Sequence, residues 1–151
     1  MRRTATLSTV PSLRLRAAVA LFTVMLLCGC NQLMQAPKDA EKLNNDLHAA
    51  MTKGDFKTIY TEADPGLRSA ASEGKFVALM TAIQKKLGDP VRSKQTAWNL
   101  NATTSGTVLR TQCETTFSKD ASGTESIEWR KSDGNYRLYG YHINSDDLIS
   151  R

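Results

Sequence analysis

Only two histidines, His48 and His142, can supply an imidazole for acid–base chemistry in this 151-residue chain. Imidazole changes charge nearest neutral pH, which makes it the usual proton carrier. His48 lies beside the apolar stripe of a helical pattern, and this favours a solvated or edge position. His142 lies in an aromatic run with Tyr139 and Tyr141, where it could bind a ligand or donate a proton, although aromatic residues also simply prefer strands. We therefore predict a candidate binding surface at Tyr139 and His142, and no catalytic residue.

No motif of a cofactor, nucleotide or metal site accompanies these residues. The sequence has no phosphate-binding loop, nucleophile elbow or paired-cysteine pattern, so we expect no cofactor and no metal. Isomerase-type chemistry would need a carboxylate in an apolar cavity. The inward positions of the first two predicted strands offer none, and Glu114 and Glu128 fall on the opposite phase. Cys113 shares a strand phase with Leu109 and Phe117, which favours a buried, inert thiol over a reactive one.

Cys30 ends a short apolar run near the start of the chain. Arginines and no acidic residue precede this run, and Ala17–Leu27 is shorter than the roughly 20 residues that a membrane-spanning helix needs. This layout is typical of an export signal, the alternative being a permanent single-span anchor. The run ends in Leu27-Cys28-Gly29-Cys30, which resembles the bacterial lipobox with an unusual cysteine at a small position. The resemblance implies cleavage before Cys30, lipid on its thiol and stable attachment to a membrane by several acyl chains.

Cleavage there changes the charge and sets the domain boundaries. Four of the 20 basic residues lie in the signal (1–29), so 16 basic and 15 acidic residues remain and the net charge is +1. This charge is too small to indicate a nucleic-acid-binding surface. Asn31, rather than Asp, follows Cys30, and by the resemblance this indicates the outer rather than the inner membrane, with the domain facing the periplasm. Residues 30–37 are a lipidated tether, in which Asn31 to Pro37 reach roughly 25 Å when fully extended. A single domain at 38–147 follows.

Three helices are predicted in the first half of this domain, because apolar residues recur there at helical spacing. Gly54 ends the first helix, Asp55 and Ser72 are candidate N-caps of the second and third, Asp64-Pro65-Gly66 breaks the second, and Gly88 ends the third. The predicted inward residues are Ala40, Leu43, Leu47, Ala50 and Met51, then Phe56, Ile59 and Tyr60, then Phe76, Leu79, Met80, Ile83 and Leu87.

Four strands are predicted from Val91 onward, where the apolar period changes to two. The turn signals between them are Ser105-Gly106, Ser122-Gly123 and Asp133-Gly134, and the inward residues include Trp98, Leu100, Leu109, Cys113, Phe117, Ile127 and Trp129. In the last strand Leu138 and Ile143 are five positions apart. Because this number is odd, a regular strand would point their side chains to opposite faces. A β-bulge near Gly140 is therefore predicted. It puts Leu138 and Ile143 on the helix-packed face and turns Tyr139 and His142 away.

The whole pattern resembles a group of small bacterial lipoproteins and exported proteins of unknown function with a cystatin-like, nuclear-transport-factor-like curved sheet. The resemblance rests on Gly54-Asp55-Phe56 between two helices, on Phe76 to Gly88, and on Tyr136 to Ile143, and it covers Lys38 to Ser145. It implies an α+β fold with three N-terminal helices packed on a four-stranded antiparallel meander. These markers are structural, so the resemblance carries no catalytic residue over, and the wider fold includes both enzymes and binding modules.

The open face of the predicted sheet is the remaining candidate surface. It carries mixed charges, Arg110 and Arg130 among them, and suits a transient protein partner or a homodimer. We predict a lipid-anchored envelope protein whose domain is a non-enzymatic binding or accessory module for an envelope protein or a small apolar ligand. The predicted surface residues are Tyr139, His142, Arg110 and Arg130. The alternative is a cryptic isomerase- or cyclase-type enzyme, which a deep polar cavity holding His142 and an acid would favour.

Overall fold

The computed structural model of the protein describes residues 38–103, 106–119 and 121–149, so the predicted signal, the tether and Cys30 lie outside the described residues. The described part consists of α1 (38–53), α2 (Phe56–Glu62), α3 (Pro65–Ala70), α4 (Glu73–Leu87), β1 (Pro90–Thr103), β2 (Gly106–Phe117), β3 (Ser122–Ser132), β4 (Asn135–Asn144) and α5 (Asp146–Ile149). Among these helices none has the length and apolar character to cross a membrane. The predicted α+β fold, with helices packed on a meander, is confirmed.

Two short helices join the three that the sequence predicts. The Asp64-Pro65-Gly66 break also starts α3, because the Asp64 carboxylate accepts a hydrogen bond from Gly66 N at 2.7 Å and Pro65 suits the first helical turn. Asp55 and Ser72 do occupy the N-cap positions of α2 and α4, but neither side chain makes a capping hydrogen bond. At six and four residues, α3 and α5 are too short to show a helical period in the sequence.

The apolar stripe of α4 packs into the core with one exception. Phe76, Met80, Ile83 and Leu87 are buried, whereas Leu79 is 53% exposed, so its predicted core position is wrong. At about 100° per residue the four buried side chains form one narrow strip, and Leu79 lies at its margin.

The sheet is a meander in the order β1-β2-β3-β4, with every neighbouring pair antiparallel, as predicted. Asp133 and Gly134 connect β3 to β4 with φ values of 51° and 82°, the positive values that a type I′ hairpin turn requires. The turn predicted at Ser122-Gly123 is wrong, because these two residues begin β3 and the chain reverses just before them. Ser105 lies outside the described residues, and Gly106 begins β2.

The predicted bulge in β4 is confirmed. Glu128 pairs with Gly140 and the next residue, Trp129, pairs with Leu138, so Tyr139 is the extra residue. Leu138 is buried and Ile143 packs against the same core. The bulge therefore resolves the odd spacing of these two side chains as the sequence suggests.

The helix-packed face of the sheet carries the core. From Leu109 onward the inward residues of β2 are all buried, and these are Leu109, Thr111, Cys113, Thr115 and Phe117. Trp98 pairs with Thr111 and so shares this face, yet it is 38% exposed, and its predicted core position is wrong. Trp98 lies on an edge strand, where a neighbouring strand protects it on one side only.

Candidate functional site

Glu125 is a carboxylate buried beneath α1 on the helix-packed face of β3. Its side chain is 0% exposed and lies two positions before that of Ile127, on the same face of the strand, so the phase of the strand turns it inward. His48 Nε2 lies 2.9 Å from Glu125 Oε2, and the Tyr141 hydroxyl donates to Oε1 at 2.7 Å. The Thr115 hydroxyl also donates to Oε2. Groups from α1, β2 and β4 thus converge on one carboxylate.

Glu125 is ionised in this arrangement. Burial alone would raise the pKa of its carboxyl, but the hydrogen bond and attraction of His48, with the hydrogen bonds of Thr115 and Tyr141, outweigh burial and hold the pKa below its usual range. A carboxylate only accepts hydrogen bonds, so His48 donates its Nε2–H. Burial, followed by the negative charge of Glu125, raises the pKa of Tyr141, which therefore remains a protonated donor.

These residues are where the sequence-based prediction went wrong. His48 is 8% exposed and bonded, not solvated or at an edge, because α1 buries a wider face than its apolar stripe. The expected lack of an inward carboxylate held for β1 and β2, but β3 provides one. The spacing of two between Glu125, Ile127 and Trp129, which puts all three on one face of the strand, is the sequence signal that identifies it.

Asn44 extends the polar contact between α1 and the sheet. Its Oδ1 accepts hydrogen bonds from Trp129 Nε1 at 3.0 Å and from the Thr111 hydroxyl at 3.2 Å. Its Nδ2 lies 3.3 Å from both Gln95 Oε1 and Cys113 Sγ. Within the described residues no buried side-chain nitrogen or oxygen lacks a partner, so the network under α1 is closed. Such a network fixes where α1 lies on the sheet.

Cys113 is 1% exposed, as its strand phase predicts. Burial raises the pKa of its thiol, which keeps the sulfur protonated. A protonated, enclosed thiol is a poor nucleophile, and Cys113 acts as a small core residue.

A cleft of about 350 Å³ opens between the first half of α1 and β1. It is lined by Lys38, Glu41, Asn44, Asn45, Ser93, Lys94, Gln95 and Cys113. Glu125 and His48 do not line it. A molecule in this cleft would therefore meet side-chain amides and exposed charges, and would not reach the buried carboxylate.

Two of the four predicted surface residues, Arg130 and Tyr139, lie together. The Arg130 guanidinium lies 3.5 Å from the centroid of the Tyr139 ring and 3.3 Å from Asp64 Oδ1. Ser132 donates a second hydrogen bond to Asp64, which also starts α3. These contacts attach α3 to the β3–β4 rim. The Arg130 guanidinium is therefore engaged with residues of its own domain.

Arg110 and His142 take part in other contacts. Arg110 pairs with Glu128 at 2.7 Å on the open face of the sheet. His142 is exposed and lines an apolar groove of about 340 Å³ with Leu79, Ile143 and Leu148, among others. His142 therefore does not share a deep polar cavity with an acid.

The open face of the sheet carries a polar trough of about 920 Å³. Its floor is a row of four residues, one from each strand, in which each residue pairs with the next across the sheet. This row, called the rung below, consists of Lys94, Glu114, Thr124 and Asn144, which are all exposed. Arg92 adds a second basic group on the β1 side, and Asp146 and Asp147 lie on the β4 side. The trough is therefore positive at one end and negative at the other.

No group of His, Cys, Asp and Glu side chains within the described residues is arranged to hold a metal ion.

A family model described as "Protein of unknown function (DUF4019)" matches residues 45–141. This range contains Glu125 and its three partners, His48, Thr115 and Tyr141, which together form the Glu125 cluster. The comparison with curated proteins gave no match.

Proposed function

Since the chain belongs to the DUF4019 family, whose description names no activity, we propose a function from the chemistry of its surface and of its first residues. The protein is a lipid-anchored bacterial envelope protein, attached through Cys30 to the outer membrane and facing the periplasm. Its domain binds an envelope protein through the polar trough of the open sheet face. The run Leu27-Cys28-Gly29-Cys30 supports the anchor, and the short tether favours a partner close to the membrane.

The rung across the four strands is the observation that carries the binding role. A plain solvated sheet face needs no concavity, whereas an open depression of about 920 Å³ lies over the exposed side chains of this one. Lys94 lies opposite Glu114, and acidic residues follow on the β4 side, so the charges are graded across the trough. A protein partner with the opposite arrangement of charges would be oriented by this gradient and would associate faster. The polar lining favours a protein surface over a small apolar ligand.

The Glu125 cluster serves this function indirectly. Its donors and acceptors bond to one another, and Glu125 is 0% exposed. The cluster holds α1 against the back of the sheet that carries the trough. A rigid sheet keeps the trough in the geometry that its partner recognises.

Site-specific photo-crosslinking in intact cells tests the proposal. A photoreactive residue replaces Glu114, in the trough, or Thr81, which is exposed on α4 at the helix-covered side. The full chain is used, and each adduct is identified by mass spectrometry. A discrete adduct with another protein is expected from position 114 and not from position 81.

A charge reversal then links the adduct to the trough. With the photoreactive residue at Thr124, Lys94→Glu should abolish the adduct, while Lys57→Glu on α2 should leave it unchanged. Equal adducts from Glu114 and Thr81, or none from either, would contradict a partner at this face. An adduct made only of two copies of this chain would replace the envelope partner by self-association.

A second candidate is a small isomerase- or cyclase-type enzyme, which one observation favours. Glu125, His48 and Tyr141 place a carboxylate, an imidazole and a phenol around one point under the sheet. Substrate reaches that point only if α1 moves. A fragment screen by NMR separates the two functions. Ligand-dependent shifts at His48 and Trp129 support the enzyme, and shifts confined to the trough support the binding module.

A further inference from the structure

The two edges of the sheet are protected to very different degrees. β4 is covered along part of its edge, where Asp64 N donates a hydrogen bond to Leu138 O at 2.9 Å, and the bulge at Tyr139 interrupts its ladder. β1 is the other edge strand, and its outer side pairs with no strand in the part of the chain that the structure describes. An unpaired strand edge offers a row of backbone donors and acceptors to another strand.

β1 is long for an edge strand, and its second half is unprotected. The strand has 14 residues, whereas strands usually have about 5 or 6. Natural edges are usually kept from pairing by charges, proline or bulges. Here Pro90, Arg92, Lys94 and the register shift after Gln95 all lie in the first half. The segment Ala97–Ala102 has no charge and no proline, and it pairs regularly with β2.

The side chains of this segment are also incompletely covered. Trp98 is 38% exposed although it lies on the helix-packed face, and Leu100 on the same face is only half-buried. The residues of α1 that approach β1 line the cleft over Ser93–Gln95, one step before this segment. An aromatic and an aliphatic side chain are therefore left partly open beside an open backbone edge. A strand added there would cover both.

We propose that Ala97–Asn101 pairs antiparallel with the same segment of a second copy of this chain, so that two four-stranded sheets join edge to edge. In an antiparallel pair, residues directly opposite each other share a face. With Asn99 opposite its own copy, Trp98 of each chain lies opposite Leu100 of the other on the helix-packed face. The two Asn99 side chains meet on the open face, where each amide offers both a donor and an acceptor.

Self-complementarity favours a second copy over a different protein. The pairing places no like charges opposite each other, because the segment is uncharged throughout. The pairing also covers the partly exposed Trp98 of each chain with Leu100 of the other. An unrelated strand would need a matching apolar pattern in the same register. The inference is independent of the trough, whose rung crosses β1 at Lys94.

Asn99 is the position at which the test is sharpest, since it is exposed and lies on the open face. Asn99→Lys would place two ammonium groups opposite each other at the two-fold axis, whereas Asn99→Gln keeps a neutral amide. Sedimentation of the full chain in detergent measures its mass. The native chain and Asn99→Gln should be dimers, and Asn99→Lys should be a monomer that keeps the native circular dichroism spectrum, which shows that it still folds. Trp98 fluorescence should shift to longer wavelength in the monomer, because its ring becomes more exposed.

A photoreactive residue at Asn99 gives a second measurement that does not depend on a disrupted dimer. Two differently tagged copies expressed together should form a mixed adduct, and peptide mapping should place the link within Ala97–Asn101 of both chains. The same residue at Thr124, exposed on β3 and two strands away from β1, should form no such adduct. A monomeric native chain, a dimer that survives Asn99→Lys, or an Asn99 adduct with a different protein would each overturn the proposal.

Discussion

Replacing Glu125 tests whether the buried carboxylate holds α1 on the sheet. Glu125→Ala leaves three donors, those of His48, Thr115 and Tyr141, without their acceptor in a site that is 0% exposed. Each buried donor left without a partner costs about 1–3 kcal/mol, so we expect a loss of about 3 kcal/mol or more in the free energy of unfolding. Glu125→Gln keeps the volume and one acceptor oxygen. It weakens the charge-assisted bonds but also removes a buried charge, so about 1–2 kcal/mol is expected.

The pH dependence of this loss has a definite sign. The folded pKa of Glu125 lies below its usual value, so the unfolded chain binds the proton more readily than the folded one. The contribution of Glu125 to stability is therefore full above the unfolded pKa of about 4.3, and it is lost as pH falls through the folded value. The native protein should lose more stability than Glu125→Gln between neutral and acidic pH. The difference between the two proteins should shrink as pH falls.

Urea unfolding of the full chain at several pH values measures both effects, with Glu114→Gln as the control. Glu114 is an exposed carboxylate on the neighbouring strand, so its replacement should change the free energy of unfolding by less than about 0.5 kcal/mol. Hydrogen exchange adds the location, because α1 amides should lose more protection than α4 amides in Glu125→Ala. If Glu125→Gln were as stable as the native protein at neutral pH, or if their difference did not change with pH, the carboxylate would not be the stabilising ion described above.

Three further predictions concern single residues. Mass spectrometry of the membrane-extracted protein should find an acylated N-terminal Cys30, and Cys30→Ser should leave the chain unprocessed or released; an intact Met1 terminus would contradict the anchor. Maleimide should label Cys113 slowly in the folded protein and quickly after denaturation, since the thiol is 1% exposed; fast labelling of the native state would show that the site is open. Met80→Ala, at 0% exposure, should cost about 2–5 kcal/mol in thermal or urea unfolding. Leu79→Ala should cost less than about 1 kcal/mol, because Leu79 is 53% exposed, and equal losses at the two positions would contradict the orientation of α4.

Local patterns in the sequence predicted most of the fold. The period of two in β2 identified its buried face, Asp133-Gly134 identified the last hairpin, and the odd spacing of Leu138 and Ile143 identified the bulge. Each of these depends on residues close together in the chain, whose backbone geometry is set by neighbouring side chains. The misplaced turn at Ser122-Gly123 and the short helix α3 show the limit, since a turn signal marks a reversal or a helix start only to within a few residues.

The sequence by itself determined the alternation of the strands, the helix-then-meander order and the inward phase of Cys113. Only the tertiary structure decided that His48 and Glu125 meet, because they are 77 positions apart and neither carries a pattern that names the other. A polar side chain on an apolar face is costly when it is alone and stabilising when a partner reaches it. Which of the two applies depends on how α1 crosses the sheet. The open edge of β1 has the same origin, because a strand's sequence shows its two faces while the order of strands decides which backbone edge is left unpaired.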